Sequence, residues 1–235
     1  GSLCPVELMK QVEEKMYMKV TSVYGLTETA PGMTATRIDD SFDVRCNTVG
    51  RDFEFTEVKV IDPETGEECP VGVQGEMCNR GYNTMKGYYK NPEATAEVLD
   101  KNNFLHSGDL GIKDEDGNYR ITGRIKDMII RGGENIYPRE IEEFLYKLEG
   151  VKDVQVAGIP SKKYGEAVGA FIILHEGVKM HESDVREFCK NKISRYKIPK
   201  YVFFIDEFPM TGSGKIDLKK TRAIAEQRAG EERKK

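Results

Sequence analysis

The chain has 235 residues, of which 38% are hydrophobic and 32% charged, and its net charge is −4. This balance is typical of a folded globular protein and excludes wholesale disorder. From residue 179 onward the chain carries 15 basic and 9 acidic residues, a net +6 that leaves −10 for the rest. This modest basic excess suits small anionic ligands better than duplex nucleic acid, so we expect no nucleic-acid partner.

Five cysteines are widely spaced and form no CxxC motif or Cys/His pair. They predict reduced thiols in a cytoplasmic protein rather than a disulfide framework or a zinc site. No apolar run reaches the length that crosses a bilayer, and nothing resembles a signal peptide. We therefore expect no transmembrane segment, although peripheral contact with a membrane stays open.

The first 37 residues predict one helix and one strand. The spacing of apolar residues predicts a helix from Pro5 to Met16, and a short strand follows from Lys19 to Tyr24. The strand ends in Tyr24-Gly25-Leu26-Thr27-Glu28, and the ends of strands are where open α/β sheets usually bind ligands. One such unit is too small to form a sheet, so the chain is expected to begin inside a domain.

Residues 38–125 are predicted to be all-β, apart from a short helix that begins at Pro92. Alternating apolar residues and turn signals predict strands at 53–60 and 75–78. The next segment, His106-Ser107-Gly108-Asp109, is interpreted as a polar bend loosened by its glycine. It presents a carboxylate.

A hairpin follows this bend. It turns at Asp116-Gly117-Asn118, and its return strand at 119–122 leads to Arg124. Asp109 and Arg124 thus stand fifteen positions apart on either side of one hairpin. Such a pair suits a polyhydroxyl ligand with an anionic neighbour.

From Lys126 the pattern becomes α+β. Pro138 is predicted to open an amphipathic helix, and Ser183 or Asp184 to cap another. Strands are expected at 128–130, 154–156, 170–174 and 201–205. The adjacent Gly132 and Gly133 mark a place where the backbone approaches something closely.

Three stretches together resemble the signature of the adenylate-forming acyl-CoA synthetases, a family that includes luciferases and peptide-synthetase adenylation domains. They are Tyr24–Glu28, residues 104–143, and Pro209-Met210-Thr211-Gly212-Ser213-Gly214-Lys215-Ile216. The resemblance covers nearly the whole chain but only the C-terminal part of such an enzyme. No stretch resembles the family's Ser/Thr/Gly-rich phosphate loop, so we expect a fragment that is inactive alone.

The resemblance implies a fold and three domains. The fold class is α+β: the end of a large α/β domain with a β-barrel-like subdomain, then a small mobile C-terminal domain. That last domain would contain a three-stranded sheet, helices and a β-hairpin. The implied boundaries are 1–37, 38–125 and 126–235.

The resemblance also implies the nucleotide site. Tyr24 and Gly25 would contact adenine, and Thr27 would contact phosphate. Glu28 would hold Mg²⁺, while Asp109 and Arg124 would bind the ribose. Read alone, Tyr24 is equally a strand-end aromatic residue and Asp109 a turn residue.

The remaining implied roles concern the two chemical steps and the movement between them. Lys215 would neutralise the substrate carboxylate and the α-phosphate. Its glycine-rich segment is no P-loop, because Pro209 stands where that motif needs glycine and Ile216 follows the lysine. Gly132 and Gly133 would line a passage for CoA, and Lys126 would be the hinge.

The resemblance predicts activation of a carboxylic acid as acyl-AMP and its transfer to CoA. It favours a medium- or long-chain fatty acid and leaves aryl and small acids open. ATP, Mg²⁺ and CoA are the expected cofactors, and the missing N-terminal part is an expected partner. The alternative is a non-catalytic module that keeps the fold and binds AMP. His106, His175 and His181 stand isolated in the sequence and are assigned no metal, and the basic run 190–197 points only weakly to the 3′-phosphate of CoA.

Overall fold

A computed structural model describes residues 6–212, 216–217 and 219–224. The chain folds as two units, Gly1–Ile125 and Lys126–Lys235. Both units contain helices and antiparallel strands, which confirms the α+β class. Among the described residues, no helix combines the length and apolar character needed to cross a bilayer. The assignment of 1–37, 38–125 and 126–235 to three domains stays a prediction.

The first unit begins with a helix and a small antiparallel sheet of order β1-β2-β3. Its elements are α1 (Val6–Met16), β1 (Val23–Tyr24), β2 (Thr34–Ala35), α2 (Phe42–Asn47) and β3 (Arg51–Asp52). The predicted strand at 19–24 is therefore shorter, and the prediction that 38–125 is all-β is wrong at α2. That helix is capped by Ser41, whose Oγ accepts from the Val44 N–H at 3.2 Å. It is anchored by the buried Arg45, which pairs with Glu13 of α1.

A four-stranded antiparallel sheet completes the first unit, with its strands in chain order. Its elements are β4 (Thr56–Ile61), β5 (Gln74–Gly81), α3 (Pro92–Val98), β6 (Leu105–Lys113) and β7 (Tyr119–Arg124). The main chain of Tyr119 bonds to Val49 and Gly50, which joins this sheet to the smaller one. The predicted bend at 106–109 is wrong, because those residues lie inside β6.

The second unit contains a sheet in which β11 has neighbours on both edges. Its elements are β8 (Ile129–Arg131), β9 (Glu134–Ile136), α4 (Pro138–Leu145), β10 (Val151–Ser161), β11 (Gly165–Leu174), α5 (Glu182–Cys189) and β12 (Tyr201–Phe204). Strands β10, β11 and β12 form the predicted three-stranded sheet, with β12 parallel to β11. The β8–β9 hairpin joins it through Arg131, which pairs with Gly165.

Strand β11 is buried on both faces. Val168, Ala170 and Ile172 belong to the cluster that also contains apolar residues of α4 and α5. Ala167 and Phe171 face a second cluster with Tyr201 and Phe203 of β12. Continuous burial of this kind explains why β11 lacks the polar alternation of a one-sided strand.

The start of α5 corrects one prediction. Its N-cap is His181 rather than Ser183 or Asp184. Asp184 instead reaches back, and its Oδ2 accepts from the His181 N–H at 2.8 Å. The acid that signalled a cap thus acts from the third helical position, as in a capping box.

Candidate functional site

Tyr24, Asp109 and Arg124 form a connected row in the first unit. Tyr24 Oη donates to Asp109 Oδ2 at 2.8 Å, and Arg124 Nε lies 2.7 Å from Asp109 Oδ1. The hairpin makes the second contact, because Asp109 of β6 and Arg124 of β7 are register partners. Tyr24 is 85 residues from Asp109 in the chain, and only the tertiary fold brings the two together.

The carboxylate of Asp109 is the centre of this row. Its side chain is only 6% exposed, whereas that of Arg124 is 48% exposed. A carboxylate offers about four lone-pair directions, so the two bonds to Tyr24 and Arg124 leave acceptor capacity for ligand hydroxyls. Burial, and then the charge of Asp109, raise the pKa of the Tyr24 phenol, which therefore stays protonated and donates.

The loop between β1 and β2 carries the Tyr24–Glu28 motif. A hydrogen bond joins the two ends of the loop: the Met33 N–H donates to the Tyr24 carbonyl at 2.8 Å. Gly25 is required by crowding: an added Cβ would lie 1.7 Å from the carbonyl oxygen of Pro31. Thr27 begins a 3₁₀ turn that ends at Thr29, and its side chain is exposed.

Glu28 and its loop are held by residues 83–88, which no sequence motif had indicated. The Met85 N–H donates to the Glu28 carbonyl at 2.8 Å, and Tyr88 Oη donates to Glu28 Oε1 at 2.8 Å. The Glu28 carboxylate raises the pKa of Tyr88, so the phenol stays a donor. Asn83 supports the same loop, since its Nδ2 donates to the Gly32 carbonyl at 2.6 Å. The polar pair Asn83-Thr84, separated from the end of β5 by one residue, was the sequence signal for this segment.

The donor chemistry of Glu28 fits Mg²⁺. The hydrogen bond from Tyr88 uses Oε1, and the second carboxylate oxygen remains for a cation. Mg²⁺ is usually held by one or two carboxylates, with substrate phosphates and waters completing its shell. One partly buried carboxylate beside the exposed Thr27 hydroxyl is such an incomplete protein shell.

Glu76 fixes the strand segment that carries Asp109. Its Oε1 accepts from the Gly108 N–H at 2.8 Å, and its Oε2 lies 2.7 Å from His106 Nδ1. Gly108 has a φ of 71°, and the β5–β6 pairing shifts register between Glu76 and Cys78. His106 is therefore not isolated, although no nearby residue in the sequence indicated its partners.

The second unit holds the other predicted site residues that are described. Lys126 is exposed in a 3₁₀ turn, Ile125–Asp127, and is the first residue of this unit. Gly132 and Gly133 have φ values of 63° and 91° in the β8–β9 turn. A Cβ on Gly133 would meet nothing within 4 Å, so the backbone conformation, rather than crowding, requires that glycine here. Lys215 lies outside the described residues.

Proteins of a known family resemble this chain in sequence and in fold. Residues 1–89 match the AMP-binding enzyme family, and residues 140–215 match the AMP-binding enzyme C-terminal domain. The putative acyl-CoA synthetase YngI of Bacillus subtilis is 53% identical over 223 residues, which are 94% of this chain and 41% of YngI. The mitochondrial medium-chain acyl-CoA ligase ACSF2 of Rattus norvegicus is 42% identical over 97% of this chain and 37% of the relative.

Solved structures agree with these relatives. ATP-bound MatB from Rhodopseudomonas palustris superposes with a TM-score of 0.87 at 33% identity, over 94% of this chain and 44% of MatB. The o-succinylbenzoate CoA synthetase MenE of Bacillus subtilis, in complex with its acyl-adenylate, gives 0.77 at 32% identity, over 92% and 43%. The chain thus spans about two fifths of the length of its curated relatives. On these matches, and as its three motifs indicated, the chain belongs to the adenylate-forming AMP-binding enzymes.

Proposed function

We propose that the chain supplies the adenosine-binding residues and the C-terminal domain of an ATP-dependent acyl-CoA synthetase. The observation that carries the proposal is the row Tyr24–Asp109–Arg124, in which a buried carboxylate is oriented by a phenol and a guanidinium. The carboxylate would accept from both ribose hydroxyls on the side of the half-exposed Arg124. The ring of Tyr24 would stack on adenine, next to the Gly25 backbone.

The adenylation step would join a carboxylate oxygen to the α-phosphorus of ATP and release pyrophosphate. It needs charge neutralisation and alignment more than covalent help from the protein. Lys215 would place its ammonium group between the substrate carboxylate and the α-phosphate. The Thr27 hydroxyl would donate to a phosphate oxygen. Glu28 would hold Mg²⁺, which would supply charge neutralisation at the phosphates.

The second step would transfer the acyl group from AMP to the CoA thiol. Gly132 and Gly133 would leave room for the pantetheine arm, because neither carries a side chain. Lys126 would act as a hinge, which suits an exposed residue at the start of the second unit.

The acid substrate is proposed to be a medium- or long-chain fatty acid. The ACSF2 relatives, which are named medium-chain acyl-CoA ligases, support this class. A cytoplasmic location is also proposed, and it is supported by the free thiols of Cys69, Cys78 and Cys189. The mitochondrial ACSF2 relatives show that family members also work elsewhere.

A chimera tests the proposal. This chain would replace the matching part of YngI, and formation of acyl-CoA from ATP, CoA and fatty acids of graded length would be measured. We expect activity, with Asp109→Ala lowering it about a hundredfold, since charged hydrogen bonds contribute roughly 1.5–3 kcal/mol each. Asp116→Ala, in the exposed turn of the same hairpin, is the matched control.

Lys215 is tested in the same chimera. Lys215→Ala should slow pyrophosphate release on the order of a hundredfold, because one preorganised charge contact is lost. Transfer of synthetic acyl-AMP to CoA should fall much less. A folded chimera that binds AMP but forms no acyl-adenylate, beside an active YngI, would favour the non-catalytic module instead.

A further inference from the structure

Three side chains with different donor atoms converge between β5 and β6. Glu76 and Cys78 stand two residues apart on β5, and His106 of β6 is the register partner of Cys78. One ligand atom from each, a carboxylate oxygen, a sulfur and a ring nitrogen, lies within 4.8 Å of the other two. The nucleotide site uses none of these three groups as a ligand contact.

Within this cluster the imidazole and the carboxylate form a short hydrogen bond, whereas the thiol has only long contacts. His106 Nδ1 lies 2.7 Å from Glu76 Oε2 and 3.5 Å from Cys78 Sγ. A ring nitrogen carries either one proton or one lone pair, so it cannot donate to the carboxylate and accept from the thiol at once. The thiol's other contact, to the Glu76 carbonyl oxygen, is long at 3.8 Å. The three donor atoms nevertheless lie close enough together to share one cation.

The spacing of the atoms is close to that of a tetrahedral metal site. Two ligands bound to Zn²⁺ at its usual bond lengths and a tetrahedral angle stand about 3.3–3.7 Å apart. The Sγ–Nδ1 distance of 3.5 Å already lies in that interval. The Nδ1–Oε2 distance of 2.7 Å would need to lengthen by only about half an ångström.

We propose that Glu76, Cys78 and His106 form a binding site for a zinc-like divalent cation. A thiolate and an imidazole select Zn²⁺ over the hard cations Mg²⁺ and Ca²⁺, which prefer oxygen ligands. Three protein ligands leave the fourth position for a solvent molecule or another small ligand. This site is separate from the carboxylate of Glu28, which offers only oxygen to a cation.

The three ligands differ in burial, and this difference indicates where a cation would enter. Cys78 is fully buried and the Glu76 side chain is 9% exposed, whereas the His106 side chain is 31% exposed, so a cation would enter past the imidazole. The Gly108 N–H holds the second carboxylate oxygen of Glu76 at 2.8 Å, which fixes the orientation of that ligand.

Protons must leave when the cation binds. Burial raises the pKa of the Cys78 thiol, so the group stays neutral without a cation. Binding therefore releases the thiol proton to solvent, and the imidazole binds through Nδ1 with its proton on Nε2.

The test uses the purified chain, stripped of metal and titrated with Co²⁺ alone and then with Zn²⁺. We expect one equivalent of Co²⁺ to give the charge-transfer band of a thiolate–cobalt bond and the visible bands of a tetrahedral ion. Zn²⁺ should displace both. Absence of the thiolate band in the folded, unsubstituted chain would overturn the proposal.

Variants assign the ligands. Cys78→Ser should abolish the thiolate band, and His106→Gln should weaken Zn²⁺ binding at least about tenfold. Because a change at buried Cys78 could also disturb the sheet, circular dichroism checks the fold, and His106→Gln gives an independent reading at a half-exposed position. Cys69→Ser, a free thiol outside the cluster, should leave both signals unchanged. A band that survives Cys78→Ser and disappears in Cys69→Ser or Cys4→Ser would contradict the assignment.

Discussion

Replacing Asp109 by asparagine probes the centre of the candidate nucleotide site. The substitution keeps the size of the side chain but removes its charge and turns one acceptor into a donor. That amide would then face either the Tyr24 hydroxyl or the Arg124 Nε, both of which now donate to Asp109. If the amide faces Arg124 Nε, that hydrogen bond is lost, because both groups can only donate. If it faces Tyr24, it can donate to the phenol oxygen, but the phenol proton then loses its acceptor.

The expected cost in stability follows from burial. An unsatisfied buried polar group costs about 1–3 kcal/mol, and the lost ion pair with the half-exposed Arg124 adds less than about 1 kcal/mol. A total of about 2 kcal/mol corresponds to a fall in Tm of roughly 4–8 °C for a chain of this size. Tyr24→Phe, which removes only the phenol oxygen, should show a smaller fall.

The expected cost in binding is separate from the cost in stability. If the carboxylate accepts from ribose hydroxyls, losing its charge should weaken AMP binding about 10- to 100-fold. Calorimetry with AMP on the YngI chimera, below the Tm of each variant, measures this. Asp116→Asn, exposed in the same hairpin, is the control. A folded Asp109→Asn variant with AMP affinity within twofold of the parent would refute the assignment of Asp109.

Three further predictions concern other sites. Burial raises the pKa of the Glu142 carboxyl to about 7 from 4.5 in the unfolded chain, so the folded state holds its proton more tightly and stability falls as pH rises between these values. Since Glu142 is half-buried, we expect the free energy of unfolding, measured in urea, to fall by roughly 2 kcal/mol between about pH 5 and about pH 8. Glu142→Gln keeps an acceptor for the Val156 N–H and should abolish this fall. If Glu142→Gln shows the same fall in stability between the two pH values, the buried Glu142 carboxyl is not its cause. Gly25→Ala should distort the β1–β2 loop, because its Cβ meets the Pro31 oxygen, and lower adenylation by the chimera roughly a hundredfold; retained activity would show that the loop yields. Lys126→Pro should spare pyrophosphate release but slow thioester formation, since proline fixes φ; equal loss in both steps would exclude a hinge there.

The contacts that sequence reasoning found are local ones. Asp109 and Arg124 could be paired in advance because the Asp116–Asn118 turn sets the register of one hairpin. The participation of Tyr24 came only from the family motif, because its partner lies 85 residues away. No periodicity encodes a contact of that range.

The elements that the sequence did not predict are short or depend on contacts between distant residues. The helix α2 has six residues, too few to show helical periodicity, and it depends on the Ser41 cap and the Arg45–Glu13 pair. Residues 106–109 contain a glycine with positive φ, which favoured a bend, but Glu76 holds that glycine within the strand. Strand β9 has only three residues and pairs across a two-glycine turn.

The parallel pairing of β12 with β11 has a consequence for synthesis of the chain on the ribosome. The β10–β11 hairpin can form as soon as residue 174 has emerged, but Gly169–Ile172 gain their second neighbour only when Tyr201–Phe204 arrive after α5. During that interval an apolar, uncharged strand edge is open to other nascent chains, the arrangement that favours intermolecular β-pairing. Non-local parallel pairs also form slowly. The last strand therefore protects the growing polypeptide from aggregation as well as completing its sheet.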